Sequence, residues 1–122
     1  MALSYEDALD KVTSELQKEG FGVITSIDVK QTLKNKLDLD FRPYTILGAC
    51  NPALANQAIN AEPDIGLLLP CNVLVREEED GSITVAFMDP KAVLGLVEGD
   101  DVAPLALEVR GKLERVRDLL VA

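Results

Sequence analysis

Histidine and tryptophan are both missing from this 122-residue chain. Without histidine there is no Ser-His or Cys-His nucleophilic pair, no imidazole metal ligand and no histidine pH switch. Any chemistry falls to Cys, Asp, Glu, Lys, Tyr or backbone groups. Aromatic residues make up only 4% of the sequence, too few for the stacking platforms that hold single-stranded nucleic acids. The core must therefore be assembled from Leu, Val, Ile and Ala.

Cysteine and basic charge are also scarce. Cys50 and Cys71 are the only two cysteines, too few for a disulfide framework and too far apart in sequence for a CxxC motif. Two thiols without further ligands do not make a four-coordinate zinc site, so no metal is expected. Twelve Lys and Arg face 21 Asp and Glu, for a net charge of -9 and a pI near 4.4. That field repels phosphate, which argues against DNA, RNA and anionic membranes as partners. The longest apolar stretch is interrupted by Pro70 and Asn72, far short of the ~20 residues of a spanning helix. No basic region followed by a hydrophobic signal core opens the sequence, and a cytoplasmic location is expected.

With 48% hydrophobic residues, residues 1–122 suit one domain without an internal boundary. "SYEDALDKVTSELQKEG" sets Tyr5, Leu9, Val12 and Leu16 on one helical face, with Ser4 at its start and Gly20 at its stop. "FGVITSIDV" reads as a strand, and Asp28 caps a short helix through "KQTLKNKL". After Pro43, "YTILGAC" reads as a buried strand in which Gly48 permits a close backbone approach. Asn51-Pro52 then opens a helix whose apolar face is Leu54, Ala55, Ala58 and Ile59.

"IGLLLPCNVLVREEEDGSITVAFMDP" reads as two extended runs around a turn. A two-residue loop, Asp80-Gly81, would leave both faces apolar. A three-residue loop, Glu79-Asp80-Gly81, gathers Val73, Val75, Ile83, Val85 and Phe87 on one face and is preferred. Pro70 then marks a bulge or an edge. "EGDD", Glu98 to Asp101, reads as a loop and cap leading to a final helix with Val102, Leu105, Val109, Leu113, Val116 and Leu120 at helical spacing. Together these elements predict an α+β fold, a two-layer sandwich of a mixed or mainly antiparallel sheet covered by helices.

The candidate site gathers around the repeated Cys-Asn. Cys50 precedes a helix start, where free amides and the helix dipole favour a thiolate, yet a free cysteine also serves as a small buried hydrophobe. Asn51 is placed to cap that helix, and the remaining amides could hold a small anion, with Lys30, Lys34 or Arg42 as counter-charge. Cys71 and Asn72 point to opposite faces of their strand. "REEED", Arg76 to Asp80, reads as a solvated turn rather than a metal cluster.

"EGFGVITSIDVKQTLKNKL", "PYTILGACNP", "IGLLLPCNVLV" and "MDP", in this order and at these separations, resemble the uncharacterised bacterial and archaeal family called domain of unknown function 302. The resemblance implies a small α+β two-layer domain with a tendency to form homodimers. It also implies a short strand before the first helix, where this sequence begins almost directly with "SYEDALDKV". No catalytic residue or cofactor comes with it. Two functions stay open: a homodimeric binding or regulatory domain with a small anionic ligand at Cys50, Asn51, Asn72 and Lys30, or a thiol redox or sulfur-transfer protein using Cys50 and Cys71.

Overall fold

The computed structural model describes residues 3–90 and 102–120. Its elements are α1 (Tyr5–Lys18), β1 (Gly22–Asp28), α2 (Val29–Leu37), β2 (Tyr44–Cys50), α3 (Pro52–Ala61), a 3-10 helix (Pro63–Leu68), β3 (Cys71–Glu77), β4 (Ile83–Phe87) and α4 (Val102–Leu120). The four strands form one antiparallel sheet in the order β1-β2-β3-β4. The expected α+β sandwich is present, and its sheet is antiparallel throughout. Among the described residues no strand precedes α1. The "EGDD" cap lies outside the described residues.

Each helix end has a local cause. The Ser4 hydroxyl accepts from the Asp7 amide at 3.2 Å, and Gly20, at φ +86°, closes α1. There Phe21 N donates to Leu16 O and Gly20 N to Gln17 O, the paired bonds of a left-handed glycine stop. Asp28 caps α2 by accepting from Gln31 N at 2.9 Å. The β3-β4 hairpin has the three-residue loop: Glu78 N donates to Ser82 O, Gly81 sits at φ +86°, and Glu77 pairs with Ile83.

That register places Val73 opposite Phe87 and Val75 opposite Val85, all on the face covered by α1 and α4. Val73 and Val75 are fully buried with Val12, Leu16, Leu47, Val109, Leu113 and Val116. At ~1.5–3 kcal/mol per buried aliphatic side chain, this cluster supplies most of the apolar drive to fold. Polar links fix the layers against each other. Tyr5 Oη bonds Thr45 Oγ1 and donates to Val75 O at 3.2 Å, while Arg115 reaches Glu19 across the two long helices. Tyr5 loses its proton less readily than usual, because burial and then the Asp28 and Glu77 charges outweigh the Thr45 bond.

The opposite sheet face carries Ile27, Ile46, Leu74 and Ala86. Ile27 remains 48% exposed, and α2 buries none of its residues. Two local expectations are corrected. Ile65 to Leu68 lie in the 3-10 helix rather than an extended run, and Pro70 sits just before β3, a central strand, rather than on an edge or bulge. The bulge occurs in β1, between Val23 and Thr25.

Candidate functional site

The β2-to-α3 junction is built around Asn51. Its Oδ1 accepts from Leu54 N at 3.3 Å, capping α3, and its Nδ2 donates to Glu19 O at 3.4 Å, joining that cap to the end of α1. Pro52 has no amide hydrogen, and Ala55 N already donates to Asn51 O. Among the described residues the helix start thus keeps only one first-turn amide, that of Ala53, without a hydrogen-bond partner. Gly20 is part of the same arrangement, since a Cβ there would meet Asn51 Nδ2 at 2.9 Å.

Beside the junction lies a pocket of about 290 Å³. Ala49 and Cys50 of β2, Pro70 and the first residue of β3, Cys71, contribute to its lining, with Phe21 just before β1 and Ile24 within it. α3 adds Leu54, Ala55, Ala58 and Ile59, while α4 adds Leu105 and Val109. Among the described residues no charged side chain lines it. Ile24 and Ile59, 62% and 45% exposed, stand at its rim.

Cys71 pairs with Ala49, so Cys50 is one register position from it, and both cysteines are free thiols. Cys71 belongs to the buried core and Cys50 is half-buried. Burial, and secondly the charge of a neighbouring Cys50 thiolate, push the Cys71 thiol up to about 11. Cys71 is therefore a neutral thiol at physiological pH.

Cys50, Asn51 and Cys71 converge on this pocket; Asn72 and Lys30 do not. Asn72 pairs with Gly48 and is exposed on the other sheet face. Lys30 follows Asp28, which pairs with Thr45, whereas Gly22 pairs with Cys50. Five residues of β2 at ~3.3 Å each separate Cys50 from Thr45, so Asp28 and the start of α2 that carries Lys30 stand at the far end of the sheet, Asp28 about 17 Å from Cys50. Lys34 pairs with Asp38 and Asp40, and Arg42 with Glu79, away from the pocket.

Sequence reading missed the walls supplied by Phe21, Ile24, Leu105 and Val109. Val109 and Leu105 belong to a readable apolar stripe, but nothing local shows that its first turns face a cavity. Ile59 carried a signal: it completes an apolar face on α3 wider than the core covers.

Among the described residues, no helix is long and apolar enough to cross a membrane, and no group of three or more His, Cys, Asp or Glu residues is placed to hold a metal. The chain is 27% identical over 94 residues to a protein of Aquifex aeolicus (strain VF5) described as uncharacterized. That match covers 76% of this chain, which spans 59% of the relative's length. The crystal structure of an uncharacterized conserved DUF302 protein from Bacillus stearothermophilus is similar over 96% of this chain and 91% of its own, with a TM-score of 0.88 and 27% identity. The family model "Domain of unknown function DUF302" matches residues 1–120, and the chain belongs to that family.

Proposed function

We propose that this protein is a small-ligand-binding domain whose site is the pocket at the β2-to-α3 junction. The observation that carries the reading is the convergence of Cys50, Asn51 and Cys71 with apolar side chains from β1, α3 and α4 on one cavity of about 290 Å³. That cavity lies at the lower limit of size for small-molecule sites and shares their character, being concave, mostly apolar and marked by a few polar groups. The placement of Lys30 and the double use of Asn51 weaken the case for a small anion bound chiefly by the helix start. A nuclear magnetic resonance screen of a small-molecule library tests the reading. Hits should shift Ala49, Leu54, Ala55 and Val109 together, and hits confined to other surfaces would count against it.

A second reading, thiol redox or sulfur transfer through Cys50 and Cys71, draws on their adjacency across β2 and β3. In this reading Cys50, the more accessible thiol, reacts first. Alkylation followed by peptide mass mapping should label Cys50 well before Cys71, and equal labelling in the folded protein would argue against it. The partly exposed apolar face with Ile27, Ile46 and Leu74 supports a homodimer that covers this face. Leu74→Lys should then lower the sedimenting mass to that of the monomer, whereas an unaltered dimer would place the contact elsewhere.

A further inference from the structure

We infer that the pocket takes a neutral aliphatic ligand, an uncharged chain or branched hydrocarbon body of about ten non-hydrogen atoms. The inference rests on the binding-domain reading and names its ligand class. At roughly 30 Å³ for each water-sized group, a cavity of about 290 Å³ accommodates a body of that size.

The walls decide its polarity. Phe21, Leu54, Ala58, Leu69, Leu105 and Val109 offer hydrocarbon. Two polar members offer an anion little: Asn51 uses Oδ1 on Leu54 N and Nδ2 on Glu19 O, and Cys71 is buried as a neutral thiol. A carboxylate or phosphate drawn inside would lose its water without gaining a cation or a set of donors from the described residues that line the pocket. A chain charge of -9 also opposes anions at long range. Water gains little there, since a buried water needs two to four polar partners. A hydrocarbon body loses its own hydration and fills contacts that the walls otherwise lack.

The test titrates the intact protein with 1-octanol, octanoate and inorganic phosphate, following backbone and methyl resonances. Octanol should saturate, shift Ala49, Leu54, Ala55 and Val109 together, and bind at least ten times more tightly than octanoate. Phosphate should leave these resonances in place. Ala55→Phe, at a half-buried position on the wall, should weaken octanol at least tenfold while the remaining spectrum stays native; Ala55→Ser, which leaves the cavity open, serves if the larger side chain unfolds the protein and should retain binding. Octanoate or phosphate binding in the pocket as tightly as octanol overturns the ligand class and leaves the binding-domain reading standing. If none of the three shifts these residues and the library screen also yields no pocket ligand, both fail.

Discussion

Gly48 lies in the middle of the sheet next to the pocket, and replacing it with alanine gives a direct test of the packing argument. In a strand without steric conflict, Gly→Ala gains about 0.5–1 kcal/mol because it restricts the unfolded backbone. Here the new Cβ would stand 2.1 Å from Thr25 Oγ1 and 2.8 Å from Pro70 Cγ. The threonine hydroxyl can swing away, since Thr25 is exposed; the proline ring is attached to the backbone on both sides and must move with it. Overpacking of this kind costs about 1–3 kcal/mol, so Gly48→Ala should be destabilising despite the backbone gain, by roughly 1–2 kcal/mol net. Thr25→Ala should relieve part of the loss, because the nearest remaining Thr25 atom, its Cβ, lies at an ordinary 3.5 Å. Urea unfolding of the two single variants and the double variant measures both terms. A Gly48→Ala protein as stable as the parent would refute the reasoning, as would a double variant showing no coupling.

Other perturbations test the buried polar groups. With its thiol pushed up to about 11 in the fold, Cys71 remains protonated after an unfolded thiol has ionised. Its contribution is therefore complete below about pH 9 and declines as pH rises toward 11, by about 1.4 kcal/mol per pH unit. Subtracting the stability curve of Cys71→Ala, which lacks the thiol, should isolate this slope, and parallel curves for the two proteins over that interval would contradict it. Tyr5→Phe leaves Thr45 Oγ1 and Val75 O without the phenolic partner and should destabilise by about 1–2 kcal/mol in urea; a neutral result would show that the links contribute nothing net. Asn51→Ala removes the α3 cap and the Glu19 contact, with an expected loss of about 1–2 kcal/mol. Asn51→Asp should recover the cap portion, so equal losses in the two variants would count against that division.

Local features of the sequence were the most legible. Asn51-Pro52 marked the start of α3 because Asn supplies the missing acceptor and Pro occupies a position whose amide needs none. Gly81, in the three-residue loop, set which side chains of β3 and β4 share a face. The segment Ile65 to Leu68 reads as extended although it is a 3-10 helix, because a short apolar run has no period that separates a strand from a buried 3-10 turn. Lys30 reads as a counter-charge for an anion at the Asn51 helix start only if the fold brings the two together, and antiparallel pairing of β1 with β2 instead sends the starts of α2 and α3 to opposite ends of the sheet. The pocket was only half legible. Cys50 and Asn51 mark one wall in sequence, but Leu105 and Val109 reach it through tertiary packing that no local pattern encodes.

The position of α4 after all four strands has a consequence for synthesis. The sheet is a sequential meander, so each strand can pair with the one before it as the chain emerges. Val109, Leu113, Val116 and Leu120, however, arrive after Val73 and Val75 and are needed to complete the same buried cluster. The nascent protein thus has an interval in which α1 alone shields this side of the sheet. Substitutions that loosen α4 should then lower soluble yield more than their equilibrium stability loss suggests, because they prolong exposure of an incomplete apolar layer.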